Sequence, residues 1–248
     1  MLPSFYNHIQ QRPDKGLGRE NQYVPDSHAS EFWNSFYTDL QSKTIFNEPF
    51  FGFVQGVNPY FGNFGYSFHP SKKIPNYYNI GVYGGGDPKT KIIPVCDGVL
   101  EYSGFDIVNG YYVLISHPHI QTEDGYVMHS LYMHLKKPLV KFSSYQKMLR
   151  EISFHAYPKI LIERETPIGE LGSTGVVGGR QSVLYVQIEF RHPYKDDVVV
   201  IDPLSLFGLK SQENIAKNCE TFEDFNKLGN TKISDFKKYN IEKYIEPK

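Results

Sequence analysis

From Leu184 to Arg191 the chain alternates without a break. Leu184, Val186, Ile188 and Phe190 are apolar, and Tyr185, Gln187, Glu189 and Arg191 are polar. A period of two is the mark of a strand with one face in a core and one face away from it. Ile92–Tyr102, Tyr111–Ser116, Tyr126–Leu135 and Val183–His192 read as strands of this kind, separated by Gly, Asn or Pro turns. The period changes in two places. Within Ser27–Leu40, residues Phe32, Trp33, Phe36, Tyr37 and Leu40 recur at helical spacing. They predict one amphipathic helix packed on the main body, with partner docking as the other reading. Ser143–Tyr157, carrying Met148, Leu149 and Ile152, predicts a helical insertion between strands. The resulting organisation is an N-terminal arm and helix over 1–45, a β domain over 46–208 with its insertion near 143–157, and an appendage of short helices over 209–248. That last segment is polar, is broken by Gly229, and has a helical patch at Phe222–Leu228. There is no repeat at a solenoid period.

Composition sharpens this picture. Apolar residues at 40% against 21% charged support a packed core and exclude a disordered chain. Nineteen Tyr and 18 Phe, with 21 Gly and 16 Pro, favour short strands and many turns over a helical bundle. A net charge of -1 gives no global attraction to nucleic acid or to an anionic membrane. Cys96 and Cys219 are too few for a disulfide framework or a thiolate zinc site; two unpaired thiols is the favoured reading and a single disulfide the alternative. No stretch is long and apolar enough to span a bilayer. Met1–Arg19 is polar and lacks the apolar core of an export signal, so the chain is either cytoplasmic or a mature form whose leader has been removed.

An ordered series of motifs runs through the β region. Phe68-His69-Pro70 is followed by Asn79-Ile80-Gly81-Val82-Tyr83, then Ile93-Pro94-Val95-Cys96-Asp97-Gly98-Val99-Leu100 and Gly110–His117. Leu131-Tyr132-Met133-His134-Leu135 and Pro167–Gly175, with its Ile-Gly-Glu-Leu-Gly-Ser-Thr-Gly run, come next. Tyr185-Val186-Gln187-Ile188-Glu189-Phe190-Arg191 and Ile201-Asp202-Pro203-Leu204 close the series. From about Tyr66 to Leu206 this order resembles the LytM/lysostaphin-type zinc endopeptidases of bacterial cell walls. The resemblance implies a mainly β fold, a two-layer antiparallel β-sandwich with a groove over one sheet, and a periplasmic or extracellular setting.

The departures carry the functional reading. Where the family's first motif places a zinc-binding His and Asp, this chain has Asn79 and Tyr83. Where its final motif places two histidines, it has Tyr185 and Gln187, and only His134 keeps a family catalytic position. Zinc takes imidazole, thiolate or carboxylate ligands. An amide oxygen is a poor substitute, and a phenol must lose a proton with an ordinary pKa near ~10. Without zinc there is no activated water and no Lewis acid on the scissile amide. No metal and no cofactor are therefore expected. The expected ligand-binding groove comprises Asn79, Tyr83, Tyr132, His134, Tyr185 and Gln187, with Tyr132 and His134 on one face by alternation; tyrosine rings filling the cleft is the favoured outcome and an open, ligand-binding groove the alternative.

Other motifs in the sequence offer less. His129 and His134, an odd number apart, are expected on opposite faces, and His117 and His119 flank Pro118 in an expected turn, which disfavours a relocated metal site. Gly84-Gly85-Gly86 reads as a flexible turn, since Asp87 and Pro88 separate it from Lys89. The resemblance thus implies a non-catalytic pseudopeptidase, a partner or regulator of cell-wall hydrolases or a binder of peptidoglycan peptide. The alternatives are an active metallopeptidase with atypical ligands, and a phosphocarrier using His134, which would need paired histidines that this sequence does not present.

Overall fold

In the computed structural model the described residues are 1–11, 21–26, 30–53, 64–69, 74–144, 146–147, 159–175 and 182–207. In chain order the elements are β1 (Ile9–Gln11), β2 (Gln22–Pro25), α1 (Glu31–Lys43), β3 (Gly65–His69), β4 (Ile74–Asn79), β5 (Val82–Gly85) and β6 (Lys91–Ile92). They continue with β7 (Gly98–Asp106), β8 (Gly110–Gln121), β9 (Val127–Leu135), β10 (Lys137–Pro138), β11 (Leu161–Ile162), β12 (Gly169–Glu170), β13 (Val183–Arg191), β14 (Val198–Ile201) and α2 (Pro203–Leu206). A nine-stranded sheet runs β1-β2-β14-β13-β9-β8-β7-β11, and β5 also pairs with β13. Its ladders are antiparallel apart from the parallel β14–β2 pair. A three-stranded sheet, β10-β12-β6, forms a second layer, and β3–β4 is a separate hairpin.

The alternation of β13 decides which side is the core. Val186 stands opposite both Val82 and Tyr132, and Val113 opposite Tyr132; all four are buried. The small sheet closes over them, with the Val95 N–H donating to Tyr132 Oη at 2.8 Å and Ile92 and Ile168 fully buried. Burial of these side chains supplies most of the driving force, at about 25 cal/mol per Å² of apolar surface.

The predicted helix forms as Glu31–Lys43. Ser30 caps it by accepting from the Trp33 N–H at 3.3 Å, and Trp33, Phe36, Tyr37 and Leu40 are buried. The arm before it contributes to the core. Phe5 is fully buried, with its ring 5.6 Å from Trp33 and 5.1 Å from Phe190, and Leu2 is bonded through its N–H to Gln121 O at 2.8 Å. α2 grows from Asp202, whose carboxylate accepts from the Leu204 N–H and the Ser205 hydroxyl, while the Asp202 N–H donates to Tyr37 Oη. Gln41 of α1 donates to the carbonyls of Ser205 and Leu206. Most of the expected 143–157 insertion, Cys219 and the whole of 209–248 lie outside the described residues.

Two strand boundaries differ from expectation. The segment read as one strand over Ile92–Tyr102 is β6 and β7 joined by a buried loop, with Pro94, Val95 and Cys96 buried. β8 runs on to Gln121, so His117 is not in a turn. The β8–β9 register slips between His117 and Gln121, and Pro118 is accommodated in that irregularity, where a missing N–H costs no ladder bond.

His117 is consequently a core residue. Its Nδ1 donates to Asp97 O at 2.7 Å, its Nε2 accepts from the Ser130 hydroxyl at 2.8 Å, and Cys96 Sγ lies 3.2 Å from Nδ1. Burial pushes its pKa down to about 3, and burial pushes the Cys96 thiol well up. The unfolded imidazole protonates near ~6.5. Below that pH the unfolded chain binds a proton that the folded chain refuses, so stability falls as pH falls from 6.5 towards 3. Lowering the pH from 7 to 5 is expected to cost about 2 kcal/mol through His117 alone. Melting temperature measured across that range should drop steeply in the native chain. His117→Gln should be less stable at pH 7 but show a clearly shallower pH dependence.

Candidate functional site

The polar face of β13 lies on the side away from this core. Tyr185 Oη donates to Gln187 Oε1 at 3.1 Å, Gln187 Nε2 donates to Glu189 Oε2 at 2.7 Å, and the Arg191 guanidinium closes on Glu189 Oε1. Tyr185, Gln187 and Glu189 are all buried, so the row is satisfied by its own members. Glu189 and Arg191 were not expected as site residues, although their place in the alternation puts them on the same face. The row continues sideways. His129 stands opposite Glu189 and Ser116 opposite His129, and the Ser116 hydroxyl donates to Glu101 at 2.6 Å. Burial, then the Arg191 charge, holds the His129 pKa below its ordinary value against Glu189 and Glu101.

Tyr83 on β5 is the cross-strand neighbour of Tyr185, with ring centroids 4.7 Å apart. Before it, Asn79 is buried and its Oδ1 accepts from the Gly81 N–H at 3.4 Å. A Cβ at Gly81 would stand 2.3 Å from Tyr185 Cζ. The Tyr185 ring is therefore laid directly on the bare Gly81 backbone.

His134 reaches this group by a backbone device. It has φ +64°, the left-handed region that non-glycine residues rarely enter, and it lies where the β8–β9 register shifts between Tyr111 and Val113. Its N–H donates to Asn109 O at 2.9 Å, and its Nδ1 donates to Thr174 O at 2.9 Å. Its ring lies 6.0 Å from Tyr83, nearly parallel, and 6.4 Å from Tyr185. Burial lowers its pKa, which keeps the ring neutral at pH 7.

The structure thus gathers Tyr83, His134, Tyr185 and Gln187, with Asn79 beside them across Gly81. Tyr132 is not among them. The left-handed turn at His134 breaks the alternation, leaving Tyr132 in the core on the opposite side of the sheet. The same break puts His129 and His134 on one side, contrary to the parity expectation. Even so, among the described residues no three His, Cys, Asp or Glu side chains are placed to hold a metal ion. The side chains that do converge are one imidazole, His134, two phenols and the Gln187 amide, which is taken up by Tyr185 and Glu189, a set that does not fit zinc. A surface hollow of about 370 Å³, lined by Phe46, Asn47, Glu48, Phe51, Ile93 and Phe207, shares no residue with this site.

No family model matches the sequence, and no curated protein matches it. Solved structures that the fold resembles are LytM/lysostaphin-type peptidases and their relatives. The catalytic domain of lysostaphin from Staphylococcus simulans is 18% identical, with 61% of this chain and 92% of that chain covered and a TM-score of 0.39. A zinc-containing peptidase from Vibrio cholerae is 17% identical over 61% of this chain, with a TM-score of 0.39, and the match spans only 39% of that protein. A chain of the SpoIIIAH and SpoIIQ complex is 16% identical, covering 64% of this chain and 97% of that one, with a TM-score of 0.40.

The contact of Tyr185 with Gly81 is open to a thermodynamic cycle. Gly81→Ala should destabilise the fold by about 1–3 kcal/mol, the cost of forcing a methyl group into filled space. Combining it with Tyr185→Ser should remove the part of the loss due to the ring, while the part due to Val186 O, 2.6 Å from the same Cβ, remains, so the two losses should fall short of additive in denaturant titrations. Fully additive losses would show that the ring does not oppose the added methyl group.

Proposed function

We propose that this chain is a non-hydrolytic relative of the cell-wall endopeptidases, acting by binding a protein partner such as a cell-wall hydrolase. The observation that carries the reading is the occupation of Gln187. Its amide oxygen accepts from Tyr185 and its amide nitrogen donates to Glu189, at a position where the resemblance calls for a zinc-binding imidazole. Tyr83 and Tyr185 fill the neighbouring space with aromatic rings. A lone neutral His134 has no activated water to deprotonate and no polarised amide beside it. The filled cleft also weighs against peptidoglycan peptide as the groove's ligand and favours a role for another face.

Purified protein is expected to contain no stoichiometric zinc by elemental analysis. Added zinc should leave its melting temperature unmoved, because a metal that bound the folded state would raise it by mass action. Cross-linked peptidoglycan and glycine-rich peptides should remain uncut. Wall fragments should give no saturable amide shifts at Tyr185 and His134. Metal-dependent cleavage by the unmodified chain would establish the active-peptidase alternative, and saturable shifts at those two residues would make the chain a wall-binding module.

A further inference from the structure

β8 pairs with β7 along the length of the hairpin, and among the described residues the other side of β7 is covered only at its start. β11 pairs there with Gly98 and Val99, and the Leu100 N–H donates to Ile160 O at 2.9 Å. From Tyr102 to Asp106 no strand lies along that edge among the described residues. An uncovered edge presents backbone donors and acceptors to any extended chain, and proteins ordinarily protect one with lysine, proline or a covering element. Between Tyr102 and Asp106 there is no lysine or proline, and no covering element is present among the described residues. Instead each face carries an aromatic pair. Tyr102 stacks on Tyr112 with centroids 5.3 Å apart, and Phe105 meets Tyr111 at 4.9 Å. The Tyr102 ring also lies over Gly104, where a Cβ would stand 2.5 Å from it, so the ring covers a stretch of strand without a side chain of its own. Phe105 is 57% exposed, and Ile107 at the hairpin tip is 80% exposed.

Charge identifies the occupant. Within the β7–β8 hairpin, Gly98–Gln121, the charged side chains are Glu101 and Asp106, both on β7, and there is no lysine or arginine. The hairpin is also tied to the candidate site, because Asn109 O at its turn accepts from the His134 N–H and the Tyr111 N–H donates to Thr174 Oγ1. We propose that the Tyr102–Asp106 edge of β7 takes an extended cationic segment of a partner protein as an added strand, gripped on its two faces by the Tyr102 and Phe105 aromatic pairs. Main-chain bonds would give such a complex its affinity and the aromatic pairs its register. The proposal rests on the reading of this chain as a protein-binding relative, and it names the surface used.

The test uses the whole chain and three synthetic ten-residue peptides. One alternates valine with lysine, one alternates valine with glutamate, and the third is the lysine peptide with its two central residues replaced by proline. Amide spectra should show saturable shifts centred on Tyr102–Asp106 with the lysine peptide. Affinity should fall at least tenfold with the glutamate and the proline peptides. Phe105→Lys, at an exposed position, should weaken binding by a similar factor with no change in melting temperature. Absence of binding, equal binding of the glutamate peptide, or shifts centred elsewhere would overturn the proposal. Sedimentation showing self-association that Phe105→Lys abolishes would assign the edge to a second copy and overturn the choice of partner. Stoichiometric zinc or cleavage would instead overturn the functional reading while leaving the edge result standing.

Discussion

A row of polar side chains on the central strand, held out of water, has to satisfy itself. Tyr185, Gln187, Glu189 and Arg191 do so in sequence, each giving or receiving from the next. In a low-dielectric setting an unmatched member would cost more than a typical bond returns, so the row acts as a unit. Its place on β13 fixes the opposite face as core. It sets the position that Tyr83 must take on the neighbouring strand, and among the described residues it leaves His134 as the single imidazole beside the rings. Hydrogen bonds between side chains satisfy this face.

The overall charge conceals how the charged groups are distributed. The β7–β8 hairpin is acidic and aromatic. On the small sheet, Glu170 is attended by Lys91 at 2.5 Å, Lys137 at 3.5 Å and Lys136 at 3.7 Å, and this lysine cluster lowers its pKa. These exposed pairs add little stability, since solvent and salt screen them. They do make one region of the surface cationic and another anionic, which a net charge of -1 averages away.

Much of this was legible in the sequence wherever periodicity alone decides. The alternation of β13 and the helix that carries Trp33 follow from spacing, whereas the order of the motif segments was legible only through the family resemblance. The site was legible in part. Tyr185 and Gln187 share a face because a strand has a period of two. Tyr132 and His134 do not, because a left-handed residue interrupts that period and nothing in Tyr-Met-His-Leu announces it. Pro118 misled for a related reason: it reads as a turn, yet a register irregularity lets the strand pass through it. The arm was obscure because Leu2 and Phe5 form no periodic pattern, and their burial depends wholly on partners far away in the chain.

That distance has a kinetic side. β2 lies parallel to β14, so residue 22 pairs with residue 198, and Phe5 closes against Phe190. The ends of the described fold are stitched to each other across nearly the whole sequence. Such non-local closure is slow, because the entropy of a long loop must be given up before any contact rewards it. During synthesis Phe5, Trp33 and Phe36 are made well before β13, whose Phe190 packs against Phe5 and Phe36. The nascent chain therefore carries a sticky aromatic cluster until that strand follows, and its maturation depends on keeping that cluster from finding other chains first.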